Sequence, residues 1–225
     1  MFDRLELLIG KDNINKIKST KVLIVGVGGV GGECALSLIR SGIETITIVY
    51  FDKVDISNIN RQVVAFHSTI GKKKVDVLEN IIKDINPDCK VSKYDLFLNK
   101  ENIKEILDKE SPDFIIDCCD SKETKKEIIK ESLNRSINFI SSMGTGNKMN
   151  PSLLEITDIR KTNNDPLARI FRKWVKDEKI KDKIPVLCSK EVPIHSGNVV
   201  ASNSFVPNSA GLLISSYVIR KIIDC

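Results

Sequence analysis

Lys21-Val-Leu-Ile-Val25 runs directly into Gly26-Val-Gly-Gly-Val-Gly-Gly32, and the reading of the whole chain turns on this stretch. Four uncharged apolar residues after Lys21 read as a strand buried on both faces, the kind that lies inside a parallel sheet. Glycines at this point let the backbone turn tightly and approach a phosphate. The free N–H groups that open the next helix stabilise the phosphate's charge. The pattern Gly26-x-Gly28-x-x-Gly31 does not by itself separate NAD, FAD and ATP, and a tight turn that holds nothing is the plain alternative. A helix is predicted over Glu33–Ser41, with Gly42 as its stop.

Outward from this unit, strands and helices alternate. A strand is predicted over Thr45–Val49, ending at Tyr50-Phe51-Asp52, and a polar loop follows with Ser57-Asn58-Ile-Asn-Arg61-Gln62. Helical spacing returns over Lys72–Ile85, then a short strand over Cys89–Tyr94 and a charged helix over Lys100–Lys109. A buried strand, Asp113–Asp117, leads into Cys118-Cys119-Asp120-Ser121. After a helix over Lys122–Arg135 and a strand over Asn138–Ser141 comes a second glycine loop, Met143-Gly-Thr-Gly146. Such alternation predicts an α/β fold with a doubly wound, mostly parallel, Rossmann-like sheet. No repeat and no Gly- or Pro-rich linker divides the chain. One domain is expected over 1–225, with a nucleotide-binding core over 1–146 and an irregular basic extension over 147–225 that supports substrate and dimer.

Composition narrows the function classes. With 41% hydrophobic and 29% charged residues, the 225-residue chain is neither disordered nor of low complexity. No run approaches the roughly 20 apolar residues of a membrane span. The best candidate, Ala210 to Ile223, is interrupted by Ser215, Ser216, Arg220 and Lys221. Met1-Phe-Asp-Arg4 is not the start of a secretion signal, so a cytoplasmic location and no membrane partner are expected. Six scattered cysteines without a C-x-x-C pair read as reduced thiols rather than a zinc site. His67 and His195 have no evident partner in sequence. The net charge of +5 is concentrated between Asp158 and Lys183, where nine basic residues face five acidic ones around the single Trp174. That segment suits a polyanion, although charge alone favours a solvated helix face.

A dinucleotide site wants an acidic residue at the tip of the second strand; Tyr50 stands there, with Asp52 two positions on. Three motifs taken together resemble the ubiquitin-activating-type adenylating superfamily over roughly residues 2–145. They are Asp52 through Asn58 to Arg61-Gln62, Gly71-Lys-Lys-Lys74-Val75, and Asp117-Cys-Cys-Asp120-Ser121. The resemblance implies ATP and Mg²⁺, with Gly26, Gly28, Gly29 and Gly31 cradling phosphates and Arg61 and Lys74 supplying cations to the triphosphate. Asn58 would position it, with Ser57, Asp52 and Ser121 also among the nucleotide contacts. Asp120 would hold Mg²⁺ or the reacting end. Arg4 would reach into the site of a second copy, which implies a homodimer. Lys74 as a solvated lysine and Arg4 as a surface residue are the bland alternatives. Tyr50 departs from the superfamily's ribose-binding aspartate, so ribose recognition falls to its hydroxyl, to Asp52, or is weakened.

The zinc-bearing members of the superfamily carry two C-x-x-C pairs that are absent here. Phe2 to Gly10, Ser142 to Pro151, Asp158 to Arg169, Phe171-Arg-Lys-Trp-Val, Val186-Leu-Cys188-Ser189-Lys-Glu191 and Ser204-Phe-Val-Pro207 to Gly211 instead resemble the tRNA threonylcarbamoyladenosine dehydratases over essentially the whole chain. That family uses ATP to activate the carboxylate of the threonylcarbamoyl group beside the anticodon, and closes it into a hydantoin-type ring with loss of water. The resemblance gives Arg169, Arg172 and Lys173 a task on tRNA phosphates. It also suggests a sulfur-mobilising partner protein and a monovalent cation (K⁺ or Na⁺) on carbonyls of Met143–Gly146, where a plain turn is the alternative. Cys188 reads either as a nucleophile for the activated acyl group or as a packed thiol; no base near it in sequence favours packing. Two other functions fit less well. One is an adenylyltransferase for the C-terminus of a ubiquitin-like sulfur carrier; the other is an NAD-sensing module that would leave Arg61, Lys74 and Asp120 idle.

Overall fold

The computed structural model describes residues 1–194 and 199–224, so His195 and Cys225 lie outside the described residues. Seven strands form one sheet: β1 (Lys21–Val25), β2 (Thr45–Val49), β3 (Lys90–Tyr94), β4 (Phe114–Asp117), β5 (Asn138–Ser142), β6 (Leu154–Asp158) and β7 (Pro185–Ser189). Their order is β3-β2-β1-β4-β5-β7-β6, parallel throughout except for β6, which runs antiparallel to β7. The predicted doubly wound sheet is therefore present. Its order reverses between β1 and β4, the switch point where ligands of open α/β sheets gather beyond the carboxyl ends of the strands.

Among the described residues, eight α-helices surround the sheet: α1 (Asp3–Ile9), α2 (Lys11–Ser19), α3 (Gly29–Arg40), α4 (Lys74–Ile85), α5 (Asn102–Glu110), α6 (Lys122–Asn134), α7 (Pro166–Asp177) and α8 (Phe205–Ile222). The uncharged run of β1 sends Val22 and Ile24 into one apolar layer and Leu23 and Val25 into the other. The first layer contains Leu38 of α3, Leu78 of α4 and Ile214 of α8; the second contains Ile128 of α6 with Phe171 and Trp174 of α7. Gly211 brings α8 against α3, since a Cβ there would lie 2.5 Å from the Val30 carbonyl oxygen.

Four elements differ from the sequence expectation. Helix α3 begins at Gly29, not Glu33, because the last glycines of the loop already adopt the helical turn. Helices α1 and α2 precede β1. Strand β6 lies in the extension and, with β7, carries the sheet outward from β5. It is a half-buried edge strand that alternates Leu154 and Ile156 with Glu155 and Thr157, a period-2 signal present in the sequence. Helix α7 has a clear local cause. Pro166 opens it, Asp165 accepts from the Ala168 N–H at 2.8 Å as its cap, and Ala168, Phe171, Trp174 and Val175 form its buried stripe.

Candidate functional site

A cavity of about 500 Å³ opens at the carboxyl ends of β1, β4 and β5. The first glycine loop forms one wall. Gly26 has φ +96°, and a Cβ on it would lie 2.6 Å from the Cys118 carbonyl oxygen; one on Gly31 would lie 1.9 Å from the Gly26 carbonyl oxygen. Strand, loop and helix thus approach too closely for any other residue. Gly28, the N-cap of α3, has no side chain to cap the helix, so its opening N–H groups face the cavity that Gly28 and Gly29 line. An anion there would be stabilised by those donors.

Arg61 lines the same cavity, its guanidinium steadied by donating from Nη1 to the Ser57 carbonyl (2.9 Å) and to Asn60 Oδ1 (2.8 Å). Lys74 is no solvated lysine. It is 2% exposed, its Nζ lies 2.5 Å from Asp52 Oδ2 and 5.5 Å from the centre of the Tyr50 ring, while Lys72 and Lys73 face solvent. Asp52 is thereby committed to Lys74, and its other oxygen accepts from the Lys53 N–H. Tyr50 separates the main cavity from an adjoining apolar slot of about 320 Å³ that holds Phe51, Leu96, Phe97 and Leu98. Burial, then the nearby charges of Asp52 and Asp120, push the Tyr50 hydroxyl above the usual phenol range, so it stays un-ionised. Phe51 and Phe97 stand 4.9 Å apart at a tilt, at the slot's outer edge. Asp120 is exposed and borders both spaces, and Ser121 caps α6 by accepting from the Thr124 N–H at 3.2 Å. Asn58 is turned toward the backbone, its Oδ1 accepting from the Asp55 N–H, while its Nδ2 donates to the Ser57 hydroxyl at 3.4 Å; the Ser57 backbone N–H donates to Asp55 Oδ1.

Sequence reasoning missed three residues here. Lys125 of α6 is fully buried; its Nζ lies 3.0 Å from Asp117 Oδ2 and donates to the Ser142 carbonyl at 2.8 Å. Burial opposes its charge, but the Asp117 charge and hydrogen bond together with the neighbouring Cys119 and Cys118 outweigh it, and the net shift is upward. Lys148, equally buried, donates to the Gly144 carbonyl at 2.6 Å and lies 3.3 Å from Asp165 Oδ2. Neither lysine carries a local signal: Lys125 is one of several lysines along α6, and Lys148 is an isolated lysine whose carboxylate partner lies 17 positions on. Gln62 also lines the cavity, and its buried Oε1 has no partner among the described residues. Its place beside Arg61 was the one available hint.

Other expected residues lie apart. Cys188 sits in β7, 1% exposed and not on the cavity wall, its thiol pushed up to about 11 by burial. Arg4 is exposed on α1, a helix with no buried residue. Arg169 and Lys173 are exposed on α7, while the half-buried Arg172 donates to the Thr162 carbonyl (2.8 Å) and to its hydroxyl (2.6 Å). The arrangement as a whole can stabilise a polyphosphate with helix N–H groups and the Arg61 guanidinium, and can seat a flat apolar group beside it.

The chain belongs to the ThiF family, which residues 2–207 match. Among individual proteins, it is 39% identical over 240 residues to the tRNA threonylcarbamoyladenosine dehydratase of Bacillus subtilis strain 168, covering 99% of this chain and 94% of that one. The solved structure of Escherichia coli tRNA N6-threonylcarbamoyladenosine dehydratase in complex with ATP superposes with a TM-score of 0.93 at 28% identity, over 99% of this chain and 93% of that one. An adenylyltransferase and sulfurtransferase of Vanderwaltozyma polyspora is 34% identical, over 69% of this chain but 34% of its own length.

Proposed function

We propose that this protein is an ATP-dependent tRNA threonylcarbamoyladenosine dehydratase. One observation carries the reading: the opening N–H groups of α3, Arg61 and Asp120 converge on one cavity, in a chain that matches a dehydratase of that name from end to end. In this reading ATP lies with its phosphates on Gly26, Gly28, Gly29 and Gly31 and its adenine in the Phe51–Phe97 slot. The substrate carboxylate attacks the α-phosphorus, and pyrophosphate leaves. Arg61 offsets the charge that develops, and Lys74, anchored on Asp52, adds a fixed positive field. Asn58 and Ser57 shape the turn that presents Arg61. Tyr50 meets the ribose through a neutral hydroxyl, because Asp52 is already paired.

Mg²⁺ fits Asp120, an exposed carboxylate at the cavity rim that would share the ion with phosphate oxygens and waters. When bound, the ion supplies charge neutralisation to the triphosphate. A monovalent cation fits poorly at the Gly144 carbonyl, where the Lys148 ammonium already stands at 2.6 Å, and no step is drawn through one.

The remaining parts of the proposal rest on surfaces. Arg169, Arg172 and Lys173 contact tRNA phosphates, and a tRNA substrate carries with it a cytoplasmic location. Among the described residues, no helix is long and apolar enough to cross a membrane. The working unit is a homodimer in which Arg4 completes the partner's site, a reading supported by Leu7 and Leu8 standing 88% and 79% exposed on α1. The chain acts as one domain, since β6 and β7 extend the nucleotide-binding sheet. A sulfur-mobilising protein is proposed as an associate, testable by co-purification.

The deciding experiment incubates the protein with ATP, Mg²⁺ and threonylcarbamoylated tRNA, then weighs the digested nucleosides. Loss of one water from the modified adenosine is expected. No dehydrated product, together with pyrophosphate release on adding a ubiquitin-like sulfur carrier, would replace this reading with the carrier-activating one.

A further inference from the structure

The second glycine loop has an electrostatic construction that the phosphate chemistry does not use. Its two ends are pinned by buried ammonium groups: Lys125 Nζ donates to the Ser142 carbonyl at 2.8 Å, and Lys148 Nζ donates to the Gly144 carbonyl at 2.6 Å. Both lysine side chains are 1% exposed, and their carboxylate partners Asp117 and Asp165 are fully buried. Carbonyl and N–H of one trans peptide point in opposite directions. With the Gly144 carbonyl drawn to Lys148, the Thr145 N–H therefore points away from that ammonium. Lys148 is not on the cavity wall, whereas Gly144, Thr145 and Gly146 are.

Among the described residues, the inner donors of this loop are also without acceptors. The Met143 N–H goes to the Leu187 carbonyl and the Asn147 N–H to the Ala201 carbonyl, each at 2.8 Å. Between them, the N–H groups of Gly144, Thr145 and Gly146 meet no acceptor among the described residues. Both flanking glycines are crowded, Gly144 by the buried carboxylate behind the loop and Gly146 by a side chain. A Cβ on Gly144 would lie 3.3 Å from Asp165 Oδ2, and one on Gly146 would lie 2.2 Å from Val200 Cγ1. Successive backbone donors of this kind form an anion-binding concavity, and a cation on the preceding carbonyl polarises the peptide into a stronger donor.

The triphosphate already has the first glycine loop and Arg61, which leaves the second loop for the other negative group in the cavity. We infer that Gly144–Gly146 is an oxyanion site for the acyl carbon of the activated substrate, with the Thr145 N–H as principal donor and Lys148 as the residue that positions and polarises it. The inference rests on the dehydratase reading. In the ring-closing step a urea nitrogen attacks the acyl carbon of the acyl-adenylate, and the carbonyl electron pair moves onto its oxygen. That oxyanion is what the loop stabilises. Collapse reforms the carbonyl, breaks the bond from the acyl carbon to the AMP oxygen and expels AMP, while the nitrogen's proton passes to solvent. The substrate's lost oxygen leaves in AMP, so the net change is loss of water.

The test separates the two half-reactions in the full-length protein. Thr145→Pro removes the N–H and is compared with the wild type in substrate-dependent ATP–pyrophosphate exchange and in single-turnover ring closure. Exchange within about twofold of wild type and ring closure slowed roughly 10²–10³-fold, the cost of one lost oxyanion donor, is expected, with acyl-adenylate accumulating. Equal losses in both steps, or no loss in either, would overturn the assignment. Should Thr145→Pro fail to fold by thermal melting, Lys148→Met serves instead, with Lys148→Arg expected to restore the faster ring closure; equal ring-closure rates in Met and Arg variants would overturn it. A wild type that shows no substrate-dependent exchange would refute the proposed activity itself, which is a distinct result.

Discussion

The two glycine loops of this protein line one cavity and are built in opposite ways. The first, Gly26–Gly31, is shaped by contact. Gly26 and Gly31 are demanded by backbone atoms 2.6 and 1.9 Å from where a Cβ would stand. The second, Met143–Gly146, is shaped by charge, held from behind by Lys125 and Lys148 with their buried carboxylates. A loop made by contact tolerates almost no change in its own residues. A loop made by charge is most vulnerable at positions outside it.

That contrast is open to direct attack, beginning with the largest effect. Lys125→Met leaves the Asp117 carboxylate buried without its cation, and urea unfolding is expected to show a loss of about 3–5 kcal/mol. A loss below about 1 kcal/mol would show that the second loop does not depend on its buried pair. Gly31→Ala forces a methyl against the Gly26 carbonyl, where only backbone can yield. The expected cost is about 3 kcal/mol, with nucleotide binding lost by calorimetry, and undiminished binding would break the steric account. Gly146→Ala makes a milder collision, because Val200 is a 68% exposed side chain that can move aside. About 1 kcal/mol is expected, and the double change Gly146→Ala, Val200→Ala should recover most of it.

The smallest effect concerns Cys188 in β7, the strand whose Leu187 carbonyl receives the second loop's first N–H. Its thiol is raised to about 11, so at pH 8 only roughly one molecule in a thousand carries the thiolate. Iodoacetamide labelling mapped by mass spectrometry should rise about tenfold per pH unit and level off only near pH 11. Fast labelling at pH 8 would return Cys188 to the candidates for covalent chemistry.

Much of this was readable in advance, and the reasons differ from residue to residue. The strand at Lys21–Val25 is legible because an uninterrupted apolar run has few uses besides a buried parallel strand, and Thr45–Val49 because all five of its residues are β-branched. The start of α3 was misjudged by four residues because glycines are counted as loop formers even when a helix has already begun. Strand β6 passed unnoticed among charged neighbours although Leu154 and Ile156 alternate correctly. Arg61, Lys74 and Asp120 were found together through motif resemblance, but only the fold shows Lys74 buried on Asp52. Trp174, noted as part of a basic segment, turns inward to meet Phe171 edge-on.

The amino-acid sequence by itself determined the sheet, the first glycine loop and the cations offered to a phosphate, because periodicity and steric need are written within a few neighbouring residues. The tertiary structure alone decided which charges are paired and which backbone donors are left free. Lys125 meets Asp117 across 8 positions and Lys148 meets Asp165 across 17, while each lysine also holds a carbonyl of the second loop. The free energy of a buried charge depends on its surroundings in space, and no short window of sequence contains them.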